Sequence, residues 1–305
     1  MTRRPNGNRR ALVGLVLATV FAVPAIAYAQ TPAPQPVIDS APERVAYASN
    51  VTIKGHVENA TPGDEVRLQQ QRGDMQWRTV ATRVLDDETT FRFRRGDVRK
   101  TTRYRVAHAG VSDVETFSQA VKVRVKPRIT LRVRPRDIFQ GRRVKLAGRV
   151  YPAVEGREML LQQKVQGTWH TIQRVNVGDG EFRTKFRARH RGQRKVRAVF
   201  AGDTLNDGAK VTKPFTIYNP ELATWYGPGF YGNSTACGKT LTTETLGVAH
   251  RTLPCGTKVS LLYQGRTITV SVIDRGPYTD ADWDLTQETA ERLGFSGTDE
   301  VGVTH

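Results

Sequence analysis

The sequence predicts an all-β protein of several folded units with almost no helix. Short runs such as 121–125 and 129–133 alternate apolar and polar residues, and alternation of period two is typical of half-buried strands. Turn pairs such as Pro62-Gly63 and Asp179-Gly180 separate these runs. Helical spacing is nearly absent, and 305 residues exceed one ordinary domain, so we expect two or three units.

Residues 1–29 have the three parts of a secretory signal peptide. Four arginines form a positive start, residues 11–26 are apolar, and Ala27-Tyr28-Ala29 is a small-x-small cleavage site. A membrane anchor is the alternative, which Pro24 and an apolar run shorter than the roughly 20 residues of a span disfavour. We therefore expect a secreted or cell-wall-associated protein without an integral membrane span after cleavage. Residues 30–43 predict an extended linker, because three prolines lie within 30–37.

The next two segments, 44–126 and 127–219, are copies of one module. Residues 51–55 match 144–148 at an offset of 93, and a fixed period of this kind marks an internal repeat. About seven short strands in each copy predict an antiparallel β-sandwich. The copies resemble bacterial immunoglobulin-like modules, which implies two immunoglobulin-like β-sandwiches in tandem.

Trp77 of the first copy and Trp169 of the second occupy equivalent places in the repeat. We expect both to pack in the core or between sheets. Stacking against a sugar ring is the alternative that the sequence leaves open.

Positive charge is concentrated in the two repeats. The chain has a net charge of +18, yet residues 220–305 hold six Lys and Arg against ten Asp and Glu. Arg92 and Arg94 alternate along one predicted strand, as do Arg132 and Arg134, and alternate residues of a strand share a face. We expect these faces to bind anionic cell-envelope polymers, and not nucleic acid, which an exported protein seldom meets. A merely solvated face is the alternative.

Residues 220–305 predict a small closed barrel. Two strand runs, 258–263 and 266–273, flank a Gln264-Gly265 turn and form a hairpin. Only 286–293 has helical spacing. About six strands and one short helix in a unit of this size leave a limited core.

The ends of that helix and the two cysteines have their own signals. Asp284 or Thr286 is expected to cap the start of the helix, and Gly294 to end it. Cys237 and Cys255 are the two cysteines of the chain. In an exported protein they predict one disulfide worth roughly 3 kcal/mol, with two free buried thiols as the alternative.

Five motifs in this last unit carry a resemblance to a known family. In order, they are Trp225-Tyr226-Gly227, Thr235-Ala236-Cys237-Gly238, 249–257 (Ala-His-Arg-Thr-Leu-Pro-Cys-Gly-Thr), Asp274-Arg275-Gly276-Pro277 and Asp284-Leu285-Thr286. They resemble the rare lipoprotein A-like double-psi β-barrel of septal lytic transglycosylases, which is related to the expansin and barwin barrels. The resemblance implies a six-stranded double-psi β-barrel with a sugar-binding groove.

The resemblance also implies site residues. Asp274 matches the essential aspartate of the family and His250 the groove histidine. Eleven residues before that histidine the family has a glutamate, where this chain has Lys239. Asp274 follows a strand and precedes Gly276-Pro277, so we expect its carboxyl at the rim of the barrel, where partial burial suits a general acid. A structural role remains open for both Asp274 and His250.

We also expect a substrate-binding surface close to Asp274. Aromatic faces stack on the apolar faces of sugars, and a glycine-rich loop concentrates several of them. The residues predicted to bind substrate are Trp225, Tyr226, Phe230, Tyr231, Arg275 and Tyr278. Asp284 is expected to be a helix cap more than a second acid. Scattered histidines give no metal signal, and we expect no metal or other cofactor.

Two functional hypotheses follow from these residues. The first is a secreted peptidoglycan lytic transglycosylase, a lyase that cleaves glycan strands and leaves 1,6-anhydro-muramyl ends. Such an enzyme needs one acid, whereas an ordinary glycoside hydrolase needs two carboxylates. The second is a non-catalytic, expansin-like module that binds glycan, which Lys239 favours.

Overall fold

The computed structural model describes residues 32–109 and 115–305. Within them the chain forms 22 strands and one helix, which confirms the all-β class. The signal peptide predicted for residues 1–29 lies outside the described residues. The described part holds no helix with the length and apolarity that crossing a bilayer requires.

The first unit consists of two sheets that enclose one core. Its strands β1 to β9 are Gln35–Ser40, Arg44–Ala46, Ser49–Glu58, Glu65–Gln71, Arg78–Val84, Thr90–Val98, Thr102–Ala109, Glu115–Phe117 and Val121–Lys126. One sheet has the order β1-β3-β6, and the other has the order β2-β9-β7-β4-β5 with β8 beside β7. Both sheets contribute to the core, for example Ile53 from one and Leu68 from the other, both fully buried.

The extended linker expected over residues 30–43 is wrong for its second half. Strand β1 pairs antiparallel with β3, and Val37 lies opposite His56. Because β1 is an edge strand, one of its sides needs no backbone donors, and Pro36 is tolerated there. The first unit therefore begins with β1 and not at residue 44.

The second unit repeats this arrangement. Its strands β10 to β16 are Arg128–Arg134, Asp137–Phe139, Arg143–Tyr151, Glu158–Val165, Thr168–Asn176, Glu181–Arg187 and Gly192–Phe200. One sheet has the order β10-β12-β15, and the other runs β14-β13-β16 and continues into β17, Ala209–Tyr226. Fully buried residues such as Met159, Leu161 and Ile217 form the core between them.

A glycine under a phenylalanine ring marks the duplication in three dimensions. A Cβ on Gly55 would lie 2.5 Å from the ring of Phe91, and a Cβ on Gly148 would lie 2.4 Å from the ring of Phe182. The carbonyl oxygens of Val37 and Thr130 would lie even closer, at 1.9 Å and 2.1 Å, so neither position can hold a side chain without displacing both the ring and the neighbouring backbone. The two matched glycines of the repeat therefore serve the same packing purpose.

The matched tryptophans do not lie in the cores, so the expected core placement is wrong. Trp77 and Trp169 are half-buried. The guanidinium of Arg105 stacks over Trp77 at 4.4 Å, and that of Arg197 stacks over Trp169 at 4.2 Å. Arg197 of β16 lies two strands from β14, which holds Trp169, and Arg105 of β7 lies two strands from β5, which directly follows Trp77. Each arginine covers its tryptophan through a cation–π contact.

Two connections fix the units to one another. Asn206, in the loop before β17, donates to the carbonyl oxygens of Arg99 at 3.0 Å and Val125 at 3.2 Å in the first unit. Strand β17 then runs without interruption from the second unit into the third, through Asn219, where the sequence predicted a boundary. The third unit is therefore a continuation of the sheet of the second.

The third unit is a closed six-stranded barrel. After β17 its elements are β18 (Val248–Ala249), β19 (Lys258–Tyr263), β20 (Arg266–Asp274), β21 (Trp283–Thr286), α1 (Gln287–Leu293) and β22 (Asp299–Thr304). The order is β17-β21-β18-β20-β19-β22, and β22 pairs back with β17. This confirms the predicted six strands and single helix.

Helix α1 begins and ends with ordinary capping residues. Thr286 is the N-cap, since its side chain accepts from the Thr289 amide at 3.3 Å. Gly294 ends the helix with a φ of 73°, a left-handed conformation that glycine adopts without strain. Of the two predicted caps, Thr286 is correct, which leaves Asp284 without a capping role.

Candidate active site

Neighbouring strands of the barrel place two carboxyl groups on one surface. Thr224 of β17 pairs with Asp284 of β21, and Ala249 of β18 pairs with both Asp284 and Asp274 of β20. Directly opposite residues on paired strands project to the same face. The row therefore carries the two carboxyl groups on either side of an alanine, whose small side chain leaves the space above it open.

A groove of about 320 Å³ runs along this row. Its lining includes Tyr226, Phe230, Asp274, Arg275, Tyr278 and Asp284. The groove thus combines carboxyl groups, a guanidinium and aromatic rings, which are the usual means of binding and cleaving a polysaccharide.

Backbone donors hold the carboxyl group of Asp274 in place. Its Oδ1 accepts hydrogen bonds from the amides of Ala236 and Arg275, both at 2.8 Å. No described residue donates to Oδ2, which leaves that oxygen available to a ligand in the groove.

The predicted disulfide is present and supports one of these donors. Cys237 and Cys255 are bonded with a Cα–Cα distance of 5.7 Å. Cys237 directly follows Ala236, and its own amide donates to the carbonyl oxygen of Ile273 at 3.3 Å. The disulfide therefore ties the loop that orients Asp274 to the body of the barrel.

Asp284 is a second carboxyl group in the groove, which the sequence prediction had treated as a helix cap. It accepts a hydrogen bond from the Thr224 hydroxyl at 2.8 Å. Burial raises the pKa of Asp284, and the nearby charge of Asp274 raises this pKa further, while the bond from Thr224 opposes both. The sequence held a signal for this placement, because Asp284 stands between two apolar residues, Trp283 and Leu285, and alternation along a strand turns it to the opposite face. Both neighbours are fully buried in the structure.

The hydroxyl of Tyr226 lies near both carboxyl groups. Burial raises the pKa of the Tyr226 hydroxyl, and so do the charges of Asp274 and Asp284 and a side-chain contact with Asp274 that is longer than an ordinary hydrogen bond. Among the described residues this buried oxygen has no hydrogen-bond partner. The phenol therefore stays protonated and can act as a hydrogen-bond donor in the groove.

The predicted aromatic residues divide into two groups. Phe230 and Tyr278 line the groove and are 56% and 90% exposed, so their rings are available to a ligand. Trp225 is not part of the lining, since alternation along β17 turns it away from Tyr226. Tyr231 also lies outside the lining, and its hydroxyl donates a hydrogen bond to the side-chain oxygen of Gln287 of α1.

Arg275 lines the groove without neutralising the aspartate beside it. Its guanidinium donates to the carbonyl oxygens of His250 and Asp274, each at 3.4 Å, and to the sulfur of Cys255 at 3.4 Å. No ion pair joins Arg275 to the carboxylate of Asp274 within the described residues. The arginine thus braces the backbone behind the groove.

His250 belongs to a separate depression, whose lining includes Glu221 and Asp282. Its Nδ1 accepts from the amides of Thr252 at 3.1 Å and Leu253 at 3.0 Å. Burial lowers the pKa of His250. The structure therefore places a neutral, backbone-bonded imidazole outside the groove that holds Asp274.

Lys239, which stands where the resembling family has a glutamate, is exposed and does not line the groove. Its backbone amide and carbonyl both bond to Thr235. The lysine charge therefore lies outside the surface that carries the two carboxyl groups.

Comparisons with known proteins agree with this geometry. Residues 221–305 match a family model described as lytic transglycolase. The "Probable endolytic peptidoglycan transglycosylase RlpA" of Aquifex aeolicus is 43% identical over 94 residues, which are 30% of this chain and 42% of the relative. The protein of the same printed name from Synechocystis is 41% identical over 87 residues, 27% of each chain.

The "Endolytic peptidoglycan transglycosylase RlpA" of Campylobacter jejuni is 40% identical over 98 residues, 27% of this chain and 36% of the relative. These matches show that the third unit is a rare lipoprotein A-like double-psi β-barrel. The chain spans 27% to 42% of the length of these three relatives.

Proposed function

We propose that this chain, whose third unit is a rare lipoprotein A-like double-psi β-barrel, is a peptidoglycan lytic transglycosylase. The observation that carries the proposal is the groove beside Asp274, with one free carboxyl oxygen and the second carboxyl of Asp284 in the same surface. The names of the similar proteins support the same reaction class.

In the first step Asp274 acts as general acid. Its carboxyl group gives a proton to the bridging oxygen of a glycosidic bond, and the bond between that oxygen and the anomeric carbon breaks. Positioned proton transfer of this kind contributes about 100- to 10,000-fold to a rate. The proton moves from Oδ2, the oxygen that no described residue occupies.

In the second step the same group acts as general base. The carboxylate of Asp274 takes the proton of the 6-hydroxyl on the cleaved sugar, and that oxygen bonds to the anomeric carbon. The ring that forms is the 1,6-anhydro end. No water is consumed, and Asp274 ends the cycle protonated, as it began.

Asp284 and Tyr226 support the proton that this cycle requires. Burial and the nearby charge of Asp274 disfavour the ionisation of Asp284. The raised pKa of Asp284 keeps a proton in the groove at higher pH than an exposed carboxyl would. The Tyr226 phenol, always protonated, is a donor to the carboxylate or to the sugar.

We also propose export and retention at the envelope. The predicted signal peptide over residues 1–29 would direct secretion, and the basic repeats would hold the protein on anionic cell-envelope polymers. Since the reaction needs peptidoglycan, such retention would keep the barrel beside its substrate.

The test measures anhydro ends directly. The full chain and the variants Asp274→Asn and Asp280→Asn are incubated with purified glycan strands, and products are identified by mass spectrometry. Asp280 is an exposed aspartate of the same loop region outside the groove lining, and so it is the matched control. We expect 1,6-anhydro products from the unchanged protein and from Asp280→Asn, and a loss of at least about 100-fold in Asp274→Asn.

A glycan-binding module without catalysis is the second candidate, and Lys239 in place of the family carboxylate favours it. Strand binding by all three proteins with no anhydro product from any of them would select this candidate. Equal product from Asp274→Asn and the unchanged protein would instead remove Asp274 from the mechanism.

A further inference from the structure

The outer face of the second unit carries an unusual density of positive charge. Strands β10, β12 and β15 form an antiparallel sheet in which Arg134, Lys145 and Lys185 lie directly opposite one another. Like charges in this arrangement destabilise a sheet. No ion pair within the described residues relieves these three cations, so the fold keeps them in spite of their repulsion.

The next row of the same face forms a hollow between two arginines. Ala147 lies between Arg132 on one side and Arg183 on the other. In the first unit the equivalent position holds Lys54. The alanine removes a side chain from the middle of the face, and the guanidinium groups stand two strands apart, roughly 10 Å.

A long groove follows this face. A depression of about 1060 Å³ lies over the three strands, and an adjoining one of about 460 Å³ extends it towards Arg136. Together their linings hold nine Lys and Arg and one acid, Glu181. Glu181 is itself paired with Arg149 and Arg183, so its charge is already neutralised.

We propose that this groove binds one extended polymer with a phosphodiester in each repeat unit. Same-face cations recur every second residue along a strand, roughly 7 Å apart, which suits a chain with regularly spaced anions. Arginine forks bind phosphate oxygens in pairs. The proposal specifies the envelope retention proposed above and rests on it, whereas it does not depend on the reaction of the barrel.

The shape and composition of the groove favour a single polymer chain over the other phosphate sources. A concave surface cannot lie flush on a flat bilayer. In the described part of the second unit no large apolar side chain is exposed that would insert into lipid. Tyr151, the aromatic residue of the lining other than the buried Phe182, is covered by Arg128 at 4.7 Å, so bases would find no open stacking surface.

The test variant removes three cations of the groove together, Arg132→Gln, Lys145→Gln and Lys185→Gln. Its matched control is the triple variant Lys54→Gln, Arg92→Gln and Arg94→Gln, which removes the same charge from the equivalent face of the first unit. The groove variant is expected to be more heat-stable than the unchanged protein, because repulsion between opposite cations is relieved. The melting temperatures of both variants therefore show whether a loss of binding is a loss of folding.

The ligand in the test is a synthetic poly(glycerol phosphate) oligomer, titrated into the full chain at several salt concentrations. We expect the groove variant to bind the oligomer at least about tenfold more weakly. The slope of log affinity against log salt should become about two units less steep, as the loss of three contacts to a single-chain polyanion would give. The affinity of the control variant for the oligomer is expected to stay within about threefold of that of the unchanged protein. Equal weakening of both variants would overturn the proposal, since charge alone would then account for binding.

Two further ligands separate the sources of negative charge. Phosphatidylglycerol vesicles offer the same glycerol phosphate group on a flat surface, and polygalacturonate offers a chain with carboxylates. We expect neither to compete with the oligomer at equal concentrations of charge. Equal binding of vesicles would assign the face to membranes, and equal binding of polygalacturonate would make it a general polyanion site. Either result would overturn the phosphodiester assignment, whatever the barrel proves to catalyse.

Discussion

The backbone amide of His250 donates a hydrogen bond to the carbonyl oxygen of Asp274 at 3.2 Å, while their side chains line different depressions. The two residues that the resemblance assigns to catalysis are thus joined by a backbone hydrogen bond, while their side chains face different surfaces. His250 accepts two backbone amides and packs on the buried ring of Trp283, with centroids 4.4 Å apart. We infer that its role is to hold the strand that positions Asp274.

Substitution of His250 tests this positioning role. His250→Ala leaves two amides without an acceptor and should destabilise the barrel by about 1–3 kcal/mol. His250→Asn keeps an acceptor oxygen and should recover part of that loss together with most of the activity. Thermal unfolding and the rate of anhydro-end formation measure both effects. A loss of rate in His250→Asn as deep as in Asp274→Asn, at normal stability, would show that the imidazole takes part in the chemistry.

The same histidine predicts a dependence of stability on pH. Burial lowers the pKa of His250 in the folded state, so protonation favours the unfolded chain. The contribution of the neutral ring is complete above the unfolded pKa of about 6.5 and is lost as the pH falls below it. Melting temperatures from pH 8 to pH 5 should fall for the unchanged protein and fall less for His250→Asn. Parallel curves for the two proteins would contradict this.

Asp284 is expected to lower the stability of the barrel at neutral pH and to raise its activity. Its pKa is raised in the folded state, so the charged form weakens the fold at neutral pH, and this penalty disappears as the pH falls below the unfolded pKa. Asp284→Asn keeps the acceptor for Thr224 and should stabilise the barrel at pH 7. Its activity should fall.

The pH profile of Asp284→Asn distinguishes a proton-holding role from a packing role. The substitution removes the carboxyl group whose raised pKa keeps a proton in the groove, so the alkaline limb of the activity profile should move towards acid. An unchanged limb with a uniformly lower rate would make Asp284 a packing residue. The rate of anhydro-end formation from pH 4 to pH 9 measures this limb.

Removal of the disulfide should reduce both stability and rate. Cys237 and Cys255 are 18 residues apart, and a loop of this size gives about 3 kcal/mol. The paired variant Cys237→Ser and Cys255→Ser should also loosen Ala236, which donates to Asp274. Thermal unfolding and initial rates check this. A stable, fully active variant at low temperature would show that the amide donor stays in place without the bridge.

Most of the fold could be predicted from the sequence, because the signals for strands and repeats are local. Period-two alternation and a repeat offset of 93 identify strands and copies without any knowledge of long-range pairing. The placement of Trp77 failed for the opposite reason. A large aromatic residue predicts burial, and only the three-dimensional pairing of strands brings Arg105 over its ring.

The candidate site divides in the same way. Motif matching led to Asp274, and the structure adds a groove beside it. Asp284 was assigned to a helix cap because capping is a local pattern, whereas its place across Ala249 from Asp274 depends on the pairing of three strands. The same resemblance led to His250, although its side chain lines a separate depression.

Two exposed aromatic rings should determine the affinity for glycan. Phe230 and Tyr278 line the groove and have large exposed fractions, so Phe230→Ala and Tyr278→Ala should leave the free energy of unfolding almost unchanged. Loss of apolar contact with a sugar ring should raise KM by roughly 5- to 20-fold each. Steady-state kinetics on purified glycan strands measure this.

Trp225→Ala is the matched control for these rings, because Trp225 is exposed on the same unit but lies outside the groove lining. Its KM should stay within about twofold of that of the unchanged protein, since surface substitutions away from a site are close to neutral. If Trp225→Ala raised KM as much as Phe230→Ala does, glycan would have to contact the other face of β17. The groove beside Asp274 would then not be the surface that binds the substrate.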